Sequence, residues 1–244
     1  MSKFKEIGIV KEIWRYPVKS MAGEALDEAK VGWQGLAGDR RYAFNRRQNR
    51  SGLPFLSARK MHGLICYHAK YVQPDDVDHS SVVVTGPDKR EYDLYSNGLR
   101  EELEACSGET LEVISLWRGA FDAMAVSMIT TVSLNSIGQL VGTQLDPQRF
   151  RPNIIIESVD GRAYPEDRWV GELVVVGTDN DAARIRVNRK DIRCSIVDLN
   201  PATGERDQNV LAEVVKNRKN FVGVYASPER PGKIKIGDVV RIPI

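Results

Sequence analysis

The stretch "FVGVYASPERPGKIKIGDVVRI", Phe221 to Ile242, decides the fold class. Apolar and β-branched residues run from Phe221 to Ala226, a Pro/Gly turn interrupts, and "KIKIGDVVRI" resumes around a Gly237-Asp238 turn. Short β-branched or aromatic runs punctuated by Gly and Pro read as strands, here a strand, a turn and a closing strand. The same rhythm fills the chain upstream: "IGIVKEIWRYPV", "RRYAFN", "LICYHAKYV", "SSVVVT", "LEVISL", "PNIIIES", "ELVVVG", "ARIRVN" and "CSIVDL" all read as strands. Apolar residues recur at three and four positions in only three places, 99–106, 131–141 and 208–218, which read as helices. Strands this numerous without regular helix alternation predict a mainly β (α+β) fold: two associated β-rich halves, antiparallel sheets closed into a barrel, and a few accessory helices. "SLWRGAFDAMAVS", 115–127, breaks the strand rhythm, which predicts a boundary between a β-rich first half over 1–115 and a second β-rich half over 116–244.

At 244 residues the chain can bury a substantial core, and 42% hydrophobic with 28% charged residues is ordinary for a globular protein. No apolar run approaches the ~20 residues of a membrane span, so no membrane partner is expected. The N-terminal "MSKFKEIGIVKEIWRYPV" lacks the apolar core of a signal peptide. Cys66, Cys106 and Cys194 are far apart and odd in number, which suits reduced thiols and predicts a cytoplasmic location. Without a Cys-x-x-Cys pair the chain is not expected to build a four-thiolate zinc or iron–sulfur site of its own. His62 and His68 lie six apart in a strand-like region and do not match a helical metal pair.

Net charge is +2, but "GDRRYAFNRRQNR" gathers Arg40, Arg41, Arg46, Arg47 and Arg50. A nucleic-acid surface would interleave stacking aromatics with those charges. Only Tyr42 and Phe44 qualify, and strand alternation turns both inward, so no nucleic-acid partner is expected.

Five segments carry candidate chemistry. In "YPVKSMAGE", Pro17 fixes the backbone and Lys19 and Ser20 set an ammonium and a hydroxyl side by side, suited to a phosphate or equally to a solvated strand end. In "GLAGDRRYAF", Arg40 follows a glycine-flanked turn with Asp39 to orient it, a two-pronged anion contact or a surface pair. In "RFRPNIIIES", Arg149 and Arg151 alternate around Phe150, Pro152 pushes Arg151 toward extended geometry, and Asn153 opens a buried strand; this reads as an anion site at a barrel mouth or a solvated strand start. In "DIRCSIVDLNPATGERD", Cys194 follows Arg193, with Arg186 and Arg189 close in sequence. Arginines that reach a thiol favour the thiolate that binds a soft metal, whereas a free cysteine is otherwise a small buried hydrophobe. In "FVGVYASPERPGK", Tyr225 offers a hydroxyl to a ligand or a ring to the core.

Taken together and in this order, these motifs resemble the MOSC family, the domain named for the C-terminal part of molybdenum cofactor sulfurases, over Tyr16 to Val240. The resemblance implies an N-terminal MOSC β-barrel followed by the MOSC domain, and molybdenum bound as its molybdopterin cofactor. It implies that Cys194 is the metal ligand and the catalytic residue. It also implies that Lys19, Ser20, Arg40, Arg151, Asn153, Arg193, Tyr225 and, more loosely, Asp122 bind the cofactor. The segment "AMAVS" after Asp122 departs from the Thr-Ser contacts of amidoxime-reducing members. The implied activity is oxygen removal from small N-hydroxylated compounds; the alternative is a non-catalytic carrier of the cofactor or of sulfur on Cys194. Bacterial members often end in a ferredoxin-like domain, and this sequence ends at Ile244 straight after the closing strand, so electrons are expected from a separate flavin or iron–sulfur protein.

Overall fold

The computed structural model describes residues 4–177 and 180–244. The N-terminal elements are β1 (Phe4–Arg15), β2 (Glu24–Leu26), β3 (Glu28–Gly32), β4 (Gly35–Leu36), β5 (Tyr42–Arg46), β6 (His68–Tyr71), β7 (Val82–Thr85), β8 (Glu91–Asp93), α1 (Asn97–Ser107) and β9 (Leu111–Ser115). The remainder comprises β10 (Val126–Thr130), α2 (Thr131–Val141), β11 (Ile154–Ser158), β12 (Leu173–Val176), β13 (Ala183–Ile192), α3 (Val210–Arg218), β14 (Phe221–Arg230), β15 (Gly232–Lys235) and β16 (Val239–Pro243). The fold is mainly β, as the strand rhythm predicts.

Seven strands close into a barrel in the order β11-β10-β14-β13-β12-β16-β1, with β1 pairing back onto β11. Closure matters physically because an open edge would leave a row of backbone donors and acceptors unpaired. The chain's first strand therefore seals a barrel otherwise built from residues beyond 125. It pairs with β16 through Phe4–Ile9 and with β11 through Gly8–Ile13. The pairing with β16 shifts register between Glu6 and Gly8 and that with β11 between Val10 and Glu12, and a Cβ at Gly8 would collide with the Glu157 carbonyl.

Alternation fills the barrel with Val10, Ile13, Ile154, Val174, Ile185, Val187 and Val224. The opposite faces of these strands are also covered: Ile129, Ile155 and Val222 pack against Leu134 and Ile137 of α2 and Val210 and Val214 of α3. That double burial explains the unbroken apolar run "IIIE". One pairing departs from the antiparallel expectation, because β10 and β11 run parallel. The crossover between them contains α2, the connection a parallel pair requires.

A second core, under β5, β6, β7 and α1, is made by Val18, Phe44, Leu64, Val84, Leu99 and Leu103. Ser96 caps α1 and Gly108, at φ 69°, ends it. Phe44 is buried and Tyr42 packs against the same core, while Arg41, Arg46 and Arg47 pair with Asp78, Glu109 and Glu112.

Two segments predicted as strands are tight 3-10 turns. His62–Cys66 forms one, with strand geometry beginning only at His68, and Ser195–Asp198 forms the other. In both, buried residues that the pattern assigns to a strand face are satisfied by a turn whose apolar side chains enter a core, Leu64 in one and Val197 in the other.

Candidate functional site

Between the barrel and the second core lies a cleft of about 710 Å³, counting its open mouth. All nine predicted site residues line it: Lys19, Ser20, Arg40, Asp122, Arg151, Asn153, Arg193, Cys194 and Tyr225. They come from six separate stretches of chain, and the fold brings every one to the same cleft.

Lys19 and Ser20 follow β1. The Lys19 amide donates to the Tyr42 carbonyl at 2.8 Å, which pins this loop to the start of β5. Ser20 has φ 65°, the left-handed region. Lys19 is 7% exposed, and its ammonium donates to Asp122 Oδ1 at 2.6 Å and to the Ala120 carbonyl at 2.7 Å. Burial pulls the Lys19 pKa down, against the attraction of Asp122.

Arg40, also left-handed at φ 49°, is ion-paired with buried Asp39, whose Oδ1 accepts from the Tyr16 amide at 2.7 Å. The sequence expectation that Asp39 orients Arg40 holds. Arg40 Nη2 donates to the Arg151 carbonyl at 3.1 Å.

The reading of Arg149 to Pro152 as an extended segment does not hold. Pro147–Arg149 is a 3-10 turn and Arg151 sits at φ 49°, because three side chains clamp this backbone. Arg40 holds the carbonyl of Arg151, Arg193 Nη1 that of Phe150 at 2.9 Å, and the Tyr16 hydroxyl that of Pro152 at 3.0 Å. Strained backbone persists only where its surroundings over-determine it, as they do here. Arg149 still reaches the cleft, but its charge is taken by Asp207 at 2.6 Å.

Arg151 is different. Among the described residues no carboxylate pairs with it, and its Nη2 has no hydrogen-bond partner. Its guanidinium lies 4.4 Å from the centre of the Tyr16 ring. Burial, and then the neighbouring Arg40, pull its pKa down to about 10. An under-satisfied buried cation asks for an anion.

Asn153 lines the cleft but spends its amide on the barrel: Oδ1 accepts from the Ser127 amide at 3.0 Å and Nδ2 donates to the Trp14 carbonyl at 3.2 Å. Arg193 is 7% exposed and turns away from its neighbour in sequence, donating to the Val222 carbonyl at 2.7 Å and pairing with Asp191 at 2.8 Å. Arg186 is absorbed elsewhere, by Glu229 at 2.6 Å. Cys194 is exposed, and its carbonyl accepts from the Val197 amide in the following turn. Tyr225, opposite Ser127 in the ladder, places its hydroxyl beside Asp191; burial and then that carboxylate raise its pKa, so it holds its proton.

Asp191 and Ser127 belong to the cleft and were missed. Asp191 is 1% exposed, accepts from Ser127 Oγ at 3.1 Å, and is pushed up by burial. Its signal was an acid three residues before the cysteine on an alternating strand.

The barrel rim thus sets one accessible thiol, a soft metal ligand by its chemistry, in the same cleft as several cationic side chains. Residues 116–241 match the family model described as the MOSC domain, and 7–124 match that of the MOSC N-terminal beta barrel domain. The chain belongs to the MOSC family. It is 22% identical to mitochondrial amidoxime reducing component 2 of Macaca fascicularis, over 98% of this chain and 84% of that protein. With mitochondrial amidoxime-reducing component 1 of Mus musculus it shares 26% identity over 49% of this chain and 36% of the relative. The crystal structure of the YUAD protein from Bacillus subtilis aligns over 99% of this chain and 98% of that one, with a TM-score of 0.52 at 13% identity, a likeness of fold.

Among the described residues no three His, Cys, Asp or Glu side chains converge as a metal site, and no helix is long and apolar enough to cross a membrane.

Proposed function

We propose that this cleft holds molybdenum as a molybdopterin cofactor and that the protein removes oxygen from N-hydroxylated compounds. The observation that carries the reading is that one cleft presents an exposed thiol, Cys194, and a part-buried guanidinium, Arg151, whose buried Nη2 has no hydrogen-bond partner and which has no carboxylate partner among the described residues. A pterin phosphate supplies the anion Arg151 lacks, and molybdenum takes a thiolate as a soft ligand. When bound, the metal centre supplies the two-electron couple for R–NH–OH + 2 e⁻ + 2 H⁺ → R–NH₂ + H₂O.

The chain's own residues have separable tasks. Arg151, Arg40, Lys19 and Ser20 hold the phosphate; Asp39 and Tyr16 fix Arg40 and Arg151; Asn153 and Arg193 brace the cleft wall. Tyr225 presents a protonated hydroxyl, and Asp122 tethers Lys19. In this reading the electrons come from a separate flavin or iron–sulfur protein. Unbridged thiols suit a cytoplasmic location.

The exposure of Cys194 also suits a carrier that hands cofactor or sulfur to another enzyme. Two measurements separate the readings: molybdenum and pterin content of protein made with molybdate in a cofactor-competent host, and turnover of an amidoxime with an artificial reductant. Stoichiometric cofactor that is lost in Cys194→Ala, with turnover, supports the reductase. Cofactor without turnover supports the cofactor carrier, and wild type free of pterin overturns the reductase and the cofactor carrier alike.

A further inference from the structure

The charges of this chain are segregated along it. From Arg40 to Pro74, 35 residues, there is no Asp or Glu, while eight Lys and Arg fall in the same span. Arg40 and Arg41 at its start are paired with Asp39 and Asp78 from outside it. The five cations between Arg46 and Lys60 share two carboxylates: Glu109 faces Arg46 at 3.5 Å and Lys60 at 3.4 Å, and Glu112 faces Arg47 at 3.4 Å. Arg50 and Arg59 are exposed, and among the described residues no carboxylate pairs with either.

This basic loop borders the cleft. Phe55 bridges to Asn45 of β5, and its ring centre lies 5.7 Å from the Lys19 ammonium. Ala58 is fully buried in a small core with Leu199, against which Ile196 packs, and Ile196 lines the cleft two residues past Cys194. Arg59 and Lys60 follow Ala58 directly, so the positive surface is anchored to the turn that carries the thiol. Leu53, 50% exposed, adds an apolar contact point among the charges. A single-stranded nucleic acid would ask for stacking aromatics, but between Arg46 and Lys60 the only aromatic ring is Phe55, beside Lys19.

We infer that the Arg46–Lys60 loop is the docking surface for the protein that delivers electrons to the cleft, and that this donor presents an acidic surface. The inference rests on the reductase reading, in which the reduced donor gives up the two electrons that the N–O bond takes and leaves oxidised. Electron-transfer encounters are small and short-lived, and complementary charge acts on them chiefly by raising the association rate.

Turnover of an amidoxime by the holoprotein, driven by three reductants, tests the surface. Methyl viologen needs no docking; a reduced [2Fe–2S] ferredoxin and a reduced flavodoxin, both acidic proteins, do. The double variant Arg50→Glu, Arg59→Glu is expected to raise KM for the protein donors about tenfold or more at low salt, with kcat, methyl viologen turnover and melting temperature unchanged. The KM values of wild type and variant should converge as salt rises, because exposed charges are screened. Equal KM in wild type and variant, or turnover with methyl viologen but with neither protein, overturns the docking surface and leaves the reductase reading intact. No turnover with methyl viologen overturns the reductase reading and the docking surface together. Binding of phosphatidylserine vesicles or of an oligonucleotide that is lost in the variant while KM stays unchanged assigns the loop to those anions and overturns the inference.

Discussion

Arg151 lies with its guanidinium carbon 4.4 Å from the centre of the Tyr16 ring, and Arg40 packs on the same ring at 4.6 Å. One tyrosine thus holds two like charges close together, at a cost offset for Arg40 by Asp39 but not for Arg151. Such a pair is prepared for a dianion, with a fork geometry that a lysine does not reproduce.

Arg151→Lys is accordingly expected to behave nearly as poorly as Arg151→Ala. Hydrogen bonds to charged groups contribute about 1.5–3 kcal/mol, so roughly 10- to 100-fold weaker cofactor retention is expected. Pterin content after gel filtration measures it; full retention in the lysine variant would refute the two-pronged contact.

Cys194→Ala separates binding from folding. Substitution of an exposed side chain changes stability by no more than about 0.5 kcal/mol, so urea midpoints of cofactor-free wild type and variant should coincide while molybdenum content falls to background. A markedly less stable variant would show that Cys194 is a packing residue after all.

Gly223 links the barrel to the site. It has φ 76°, and a Cβ there would lie 2.8 Å from the Met128 carbonyl oxygen and 3.0 Å from Arg193 Nη2. Gly223→Ala should cost about 1–3 kcal/mol through strain and overpacking, and should reduce pterin content by displacing Arg193. Denaturation midpoints paired with pterin analysis check both effects; loss of neither contradicts the assignment of Arg193 as a brace.

Glu166 is fully buried, accepting from Thr130 and Ser133 hydroxyls at 2.7 Å, and burial raises its pKa from the usual 4.5. The folded state therefore holds this proton more tightly than the unfolded state. Its contribution is fully present below about pH 4.5 and is lost as pH rises through the raised folded value. Relative to wild type, Glu166→Gln should gain stability as pH rises from about 4.5 toward the raised folded value and level off above it, read from denaturant midpoints across a pH series. A constant difference across the series would remove Glu166 as the cause.

The β class and the three helices were legible in the sequence because they depend on local chemistry, whereas the residues lining the cleft were legible only through the resemblance of five ordered motifs, each of which alone left a surface or core reading open. Turn residues punctuate strands, periodicity distinguishes "LREELEAC" from "LEVISL", and an Arg-Cys or Lys-Ser pair keeps its chemical character wherever it lies. What the sequence did not disclose depends on distance. Nothing in "FKEIGIVKEIWR" says that it closes a barrel with Ile154–Ser158, since register is set by the whole ladder and by bulges at Gly8 and Val10. Nor does "RFRPN" say that Arg151 is left-handed, because that conformation is imposed by Arg40, Arg193 and Tyr16 from three other segments. Arg149 and Arg151 looked equivalent in the sequence; only the tertiary structure gave Asp207 to one and left the other unpaired. The residue types of the site were thus determined locally, while which charge remains free to bind was decided by long-range packing, since a buried cation's character depends on its neighbours in space.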